Sequence, residues 1–431
     1  MVLVVGMARS GIAAARLLQS RGVPVYVSDS GKSCSAEELD AAGIPYEAGR
    51  HTKSSFLEAE EIVVSPGVPL DIEPLRAAHE KGIPIISEIE LAFRYIKGDV
   101  VAITGSNGKT TTTTLIGEMM KAGGRHVQIG GNIGIAMSRL VPMSTPETIN
   151  VVEVSSFQLD GTITFRPNVG VLLNITPDHL DRYADFQAYR ASKFRLFENQ
   201  KQSDIAVLNE DDPQVYPAAT PLRSTLRTFS RKSIVSNGLI IDGQRVMGID
   251  EIPLRGAHNI ENVLASLVTA SCYNIDIAAL AETVREFKGV EHRIEFAGKI
   301  RGIEFYNDSK ATNVDSSIKG VESFERNIII ILGGKDKGAS YELLVERMKG
   351  RVKHVLLIGA AANTIGDAIG NAFPKTFVTT MQDAVQKGLD LGAPGDVVLL
   401  SPACASFDMF DNYEHRGRVF KEAVRAIGQK A

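Results

Sequence analysis

Val100 to Thr113 read Val-Val-Ala-Ile-Thr-Gly-Ser-Asn-Gly-Lys-Thr-Thr-Thr-Thr. A β-branched run ends in Gly105-Ser106-Asn107-Gly108-Lys109-Thr110-Thr111, and Leu115, Ile116, Met119 and Met120 then recur at helical spacing. Strand, glycine loop and helix in that order suit a polyphosphate. Glycines let backbone N–H groups curl around the anion, and the helix N-terminus adds a favourable dipole. Lys109 is placed to neutralise β- and γ-phosphate charge, and the Thr110 hydroxyl to ligate Mg²⁺. The loop departs from G-x-x-x-x-G-K-[ST], because Ile103 stands where the first glycine is expected.

Other groups are spaced to work beside such a loop. Glu153 ends the apolar run Ile149–Val154 and precedes Ser155-Ser156-Phe157-Gln158. A carboxylate at the C-terminal end of a parallel strand faces the crevice in which ligands bind. A second run, Val169–Ile175, leads into Thr176-Pro177-Asp178-His179, where an Asp-His pair suits Mg²⁺ or substrate activation. Asn259 and Asn262, at i and i+3, share one helical face. Arg190, Lys193 and Arg195 read, on their own, as the solvated face of a helix.

Positioning these groups requires alternating strands and helices. Val2–Val5, Val25–Val27, Ile62–Val64, Val100–Thr104, Ile149–Val154, Val169–Ile175, Ile328–Leu332, Val352–Ile358 and Val397–Leu400 read as buried strands. Helix-length stretches such as Ile12–Ser20, Thr111–Ala122 and Tyr341–Met348 separate many of them. This is the pattern of parallel sheets covered on both faces. Three blocks separate near Ile96–Asp99 and near Gly289–Arg293. The stretch Asp204–Asp250 carries fewer helix signals and reads as an appended β element.

Composition narrows the classes. A chain of 431 residues, 44% hydrophobic and 23% charged, builds ordinary globular cores. Its net charge of −4 supplies no basic field for nucleic acid, so an anionic ligand must be small and held locally. Cys34, Cys272 and Cys404 form no C-x-x-C pair, which suits a reducing cytoplasm. No basic n-region precedes the opening apolar run, and no uncharged stretch approaches the ~18 residues of a membrane span.

Near the N-terminus, Gly6-Met-Ala-Arg-Ser-Gly11 follows a strand and opens a helix, and Asp29 ends the next strand. This outlines a Rossmann-like unit without the middle glycine of G-x-G-x-x-G. A nicotinamide-dependent oxidoreductase is therefore the distant alternative.

Together, Gly105–Thr111, Glu153–Leu159 (Glu-Val-Ser-Ser-Phe-Gln-Leu) and Asn174–Arg182 resemble the Mur ligase family of ATP-dependent amide-bond ligases of peptidoglycan precursor synthesis. The resemblance extends through Gly256–Asn262, His292–Glu295, Asn307–Asn313 and Ser401–Asp408 to Arg416-Gly417. Ser-Ser-Phe-Gln-Leu, Asn-Asp-Ser-Lys-Ala-Thr-Asn and Ser-Pro-Ala-Cys-Ala-Ser look like the D-glutamate-adding branch in particular. Another Mur ligase or a folylpolyglutamate synthase-like ligase is the nearer alternative.

The resemblance implies an α/β fold of three domains. These are a Rossmann-like, UDP-substrate-binding domain over 1–92, a central P-loop ATPase-like domain with a mainly parallel sheet over 93–290, and a Rossmann-like, amino-acid-binding domain over 291–431. It also implies small-molecule substrates, namely UDP-N-acetylmuramoyl-L-alanine, D-glutamate and ATP, in a cytoplasmic enzyme with no nucleic-acid or membrane partner. ATP is expected on Gly105, Ser106, Asn107, Gly108, Lys109, Thr110, Thr111, Asn259, Asn262, Arg293 and Asp308. Two Mg²⁺ ions are expected, one on Thr110 and Glu153, the other on His179 and a carbamylated Lys193. The UDP substrate is expected on Ser10, Asp29, Ser30, Ser65, Asn132 and Ser155. Gly31 stands where some relatives carry Arg. D-Glutamate is expected on Lys310, Thr312, Lys337, Ser406, Phe407 and Tyr413, with loop register favouring Lys337 over Lys335.

Overall fold

The computed structural model describes residues 1–31, 36–178, 182–216, 222–336, 338 and 340–429. Two compact units make up the chain, Met1–Glu251 with Glu261–Arg285, and Ile252–Ile260 with Glu286–Ala431.

In the first unit the runs of Val and Ile become central strands because both of their faces are buried. One sheet orders its strands Tyr46–Ala48, Val25–Asp29, Val2–Val5, Glu61–Val64 and Ile85–Ser87, all parallel. A second orders Thr225–Phe229, Ile205–Asn209, Val169–Leu172, Asp99–Thr104, Ile149–Glu153 and Val127–Gly131, again all parallel. The two sheets share one apolar core that includes Val4, Ile89, Leu91, Val100, Leu140 and Phe165.

The helix Glu88–Phe93 adds polar ties between the two sheets. Its Glu90 is 0% exposed and accepts backbone N–H groups of Ile163, Thr164 and Phe165, as well as the Thr164 hydroxyl. Burial pushes the Glu90 pKa up. The hydrogen bonds from Thr164, Ile163 and Phe165 outweigh it and hold the carboxyl below its usual range.

The expected appended β element is smaller than its sequence signal. Ile205–Asn209 and Thr225–Phe229 extend the parallel sheet. Among the described residues of this stretch only Ile234–Val235, Gly238–Ile241 and Gln244–Gly248 form a separate, antiparallel sheet.

The second unit is built on a six-stranded sheet. Its order is Glu295–Ile300, Ile303–Asn307, Val397–Leu400, Ile328–Gly333, Val352–Ile358 and Lys375–Phe377. Among the described strands of this sheet only the edge hairpin at Glu295–Asn307 is antiparallel. Alternate residues of the buried strands feed two apolar clusters, Ile328, Ile330 and Leu332 in one and Ile329 and Ile331 in the other. That division is what a sheet covered on both faces requires. Among the described residues no helix is long and apolar enough to cross a membrane.

Candidate functional site

The phosphate loop hangs from the middle of the second sheet. Ile103 stands in register opposite Glu153 inside the strand Asp99–Thr104, so the loop proper begins at Gly105. Its departure from the familiar motif therefore falls in the strand and leaves the loop's curvature intact. Gly108 takes a φ of +84° at the N-cap of the helix Lys109–Ala122, and a Cβ there would lie 2.2 Å from Asn262 Oδ1. Glycine is required on both counts.

Hydrogen bonds lock the loop. Asn174 Oδ1 accepts from the Asn107 N–H at 2.8 Å, and Asn174 Nδ2 donates to the Asn107 carbonyl at 3.1 Å. The Ser106 hydroxyl donates to the Thr176 carbonyl, accepts from the Thr176 N–H, and lies 3.0 Å from Tyr189 Oη. The Lys109 ammonium donates to the carbonyls of Gly105 and Ser106 at 2.8 and 2.9 Å.

A buried oxygen pair sits beside the loop. The Thr110 hydroxyl donates to Glu153 Oε2 at 2.7 Å, and Asn132 Nδ2 donates to Glu153 Oε1 at 2.9 Å. Hydroxyl and carboxylate are hard oxygen donors, which fit Mg²⁺. Ser155 N-caps the next short helix through a capping box with Gln158, fixing the chain just past Glu153.

Lys193 is 2% exposed and donates to the Gly105 carbonyl at 3.0 Å, with its ammonium position 4.6 Å from the centre of the Tyr189 ring. Burial, reinforced by the Lys109 charge, holds its pKa well below the ordinary lysine value. The solvated-face reading of this lysine is thus wrong. His179 lies outside the described residues.

The expected UDP-side residues collect at strand ends of the first sheet. Asp29 accepts from the N–H groups of Met7 and Gly31, tying the first two strand-end loops together. Ser65, just past the strand Glu61–Val64, is buried, and a Cβ on Gly6 would lie 2.7 Å from it. Gly11 has no room either, since its Cβ would fall 1.8 Å from the Gly6 carbonyl oxygen. This glycine pair is explained by loop packing. Ser10 lies in the first turn of the helix Arg9–Ser20, and Ser30 is exposed.

In the second unit, Asp308 is buried and accepts from the Ser401 hydroxyl at 2.8 Å. Burial pushes its pKa up to about 7, against the opposing pull of that hydrogen bond and of Arg293. Lys310 stands 5.7 Å from the centre of the Tyr413 ring. Thr312 precedes the N-cap Asn313, Ser406 is buried, and Phe407 is 69% exposed. Lys337 lies outside the described residues.

Arg416, whose role sequence reasoning missed, holds this region. Its buried guanidinium donates to the Ser309 hydroxyl and to the carbonyls of Ser309, Cys404 and Ala405. Tyr189 was missed in the first unit, and Asn174, the first residue of the stretch Asn174–Arg182, was given no role. An arginine and a tyrosine on amphipathic helices carry no local signal of such contacts.

A parallel sheet carrying a glycine loop, a loop lysine and a Thr–Glu oxygen pair defines a P-loop nucleotide-dependent enzyme. The chain belongs to the Mur ligase family. The Mur ligase MurD-like N-terminal domain matches residues 1–87, the Mur ligase middle domain 103–270, and the Mur ligase glutamate ligase domain 292–404. It is 44% identical to a UDP-N-acetylmuramoylalanine–D-glutamate ligase of Koribacter versatilis, over 100% of this chain and 98% of that one. It is 47% identical to the ligase of the same name from Acidobacterium capsulatum, over 99% and 96%.

Among solved structures, a UDP-N-acetylmuramate–alanine ligase from Thermotoga maritima superposes with a TM-score of 0.65 at 20% identity, covering 99% of both chains. A pseudomurein peptide ligase from Methanothermus fervidus reaches 0.61 at 20% identity over 99% of each. These establish the fold. The chain is an ATP-dependent ligase of a family that uses Mg²⁺.

Proposed function

We infer that this enzyme joins the amine of D-glutamate to the alanyl carboxylate of UDP-N-acetylmuramoyl-L-alanine, with ATP converted to ADP and phosphate. One observation carries the reading. Relatives that bear the D-glutamate ligase name match this chain over nearly its whole length at 42–47% identity.

The reaction begins with two anions. The alanyl carboxylate attacks the γ-phosphorus, ADP leaves, and an acyl phosphate forms. Lys109, at the mouth of the loop, offsets the charge that builds on the phosphate oxygens. Thr110 and Glu153 would hold Mg²⁺, which supplies further charge neutralisation when bound. The D-glutamate amine then attacks the acyl carbon, and phosphate departs from the tetrahedral intermediate.

Lys193 is the group we assign to a carbamate. Buried and with a depressed pKa, it gives up its proton more readily than an ordinary lysine, and the neutral amine is the form that adds CO₂ and releases a proton to give an anionic oxygen ligand. Together with His179, it would hold a second Mg²⁺. Asn259, Asn262, Arg293 and Asp308 are assigned to the adenosine of ATP. Ser10, Asp29, Ser30, Ser65, Asn132 and Ser155 are assigned to the UDP substrate, and Lys310, Thr312, Lys337, Ser406, Phe407 and Tyr413 to D-glutamate. The domain limits that go with these roles are 1–92, 93–290 and 291–431.

An isotope experiment tests the acyl phosphate. With heavy oxygen in the substrate carboxylate, one labelled atom should pass into the released phosphate. Unlabelled phosphate would rule out carboxylate activation by phosphorylation.

A further inference from the structure

The loop after the strand Ile328–Gly333 is held in a way that the family resemblance does not assign. Lys335 pairs with Ala405 in an isolated antiparallel bridge, its N–H donating to the Ala405 carbonyl at 2.8 Å and its own carbonyl accepting from the Ala405 N–H at 3.1 Å. Gly334 lies so close that a Cβ there would fall 2.2 Å from the Ala405 carbonyl oxygen. The loop and the segment Cys404–Ser406 are thus laid edge to edge by backbone alone.

A side-chain chain closes the same junction. The phenol of Tyr341, 3% exposed, donates to Asp336 Oδ1 at 2.7 Å and lies 3.2 Å from Cys404 Sγ. With the phenolic proton committed to Asp336, the thiol is left to donate to the phenol oxygen. Asp336 Oδ1 also accepts from the Gly338 N–H at 3.1 Å. Cys404 and Ala405 in turn give their carbonyls to Arg416, which also holds Ser309, the residue before Lys310. One hydrogen-bonded set therefore spans three strand-end loops that carry residues we assign to the amino acid.

The geometry points to Tyr341 and Asp336 as positioning residues for the amino-acid substrate, fixing the loop of Lys335 and Asp336 against Cys404–Ser406 through the Tyr341 hydroxyl. This rests on the reading of the second unit as the amino-acid-binding part. Tyr341 need not touch the substrate. Its hydroxyl sets the register between a loop on one strand end and Ser406 on another, and Lys337 follows Asp336 directly in the sequence. Small misplacement of such groups weakens the binding of the ligand they address and leaves ligands bound elsewhere untouched.

The test is steady-state kinetics on the full chain with each substrate varied in turn, for the parent, Tyr341→Phe and Asp336→Asn. Tyr341→Phe keeps the ring and removes one hydroxyl. It should raise the KM for D-glutamate about tenfold while the KM values for ATP and the UDP substrate stay within about twofold. Asp336→Asn keeps an acceptor oxygen and should show a smaller rise of the same kind. An unchanged D-glutamate KM in both variants, or equal losses for all three substrates, would overturn the proposal. If the parent instead uses another amino acid from a panel, the substrate assignment fails, and the same comparison on that amino acid still decides the role of Tyr341.

Discussion

Lys193 and Lys109 donate to the same oxygen, the carbonyl of Gly105, at 3.0 and 2.8 Å. Burial, reinforced by the repulsion between two ammonium groups at one acceptor, destabilises the proton of Lys193. This gives the proposed carbamate a physical origin, since the neutral amine is the form that takes up CO₂. Lys193→Ala should lose at least about 10²-fold in rate, with partial recovery when a small carboxylate is added. Carbon-13 NMR of parent enzyme in labelled bicarbonate should show a carbamate carbon that Lys193→Ala lacks. Full activity of the variant would refute the assignment.

Lys109→Ala probes the other member of the pair. Removing the loop charge should cost roughly 10²-fold or more in kcat/KM for ATP. Phosphate release near the parental rate would show that the loop lysine does not act on the reacting phosphate.

Asp308 makes a prediction about pH and stability. Its folded pKa is raised, from 3.8 to about 7, so the folded state holds this proton more tightly than the unfolded chain. From Asp308, stability therefore falls as pH rises through that window and levels off above it. Asp308→Asn removes the titration, so its stability relative to the parent should improve between about pH 5 and about pH 8. Denaturant melts at the two pH values measure it. A constant difference would mean that Asp308 does not titrate in this range.

Glu90 has the opposite sign. Its pKa is lowered, so its stabilising effect is present above the unfolded value of 4.5 and disappears as pH falls through the folded pKa. Glu90→Gln sets amide hydrogens against backbone N–H groups and should cost about 2 kcal/mol or more at neutral pH. The gap between parent and variant should narrow in acid. A variant as stable as the parent at neutral pH would show that this carboxylate does not tie the two sheets.

Much of this was legible from residue types. The loop Gly105–Thr111 is local in sequence, and its strand and helix announce themselves by β-branched runs and helical spacing. Strands missed by pattern, such as Tyr46–Ala48, Val127–Gly131 and Lys375–Phe377, lie at sheet edges, where burial on two faces is not required. Lys193 was misread from pattern because its burial depends on Gly105, distant in sequence. The roles of Arg416 and Tyr341 were not legible for the same reason, since their partners lie on other strand ends. Fold and loop are written locally; the scaffolding of the site is written in tertiary contacts.

In the proposed reaction D-glutamate captures the acyl phosphate. The direct measurement is phosphate release with ATP and UDP-N-acetylmuramoyl-L-alanine, comparing D-glutamate with L-glutamate, L-alanine and diamino acids, with product mass read in parallel. Release should depend on D-glutamate and yield a product heavier than the UDP substrate by one dehydrated glutamyl residue. Preference for another amino acid, or release of equal rate with none added, would contradict the account.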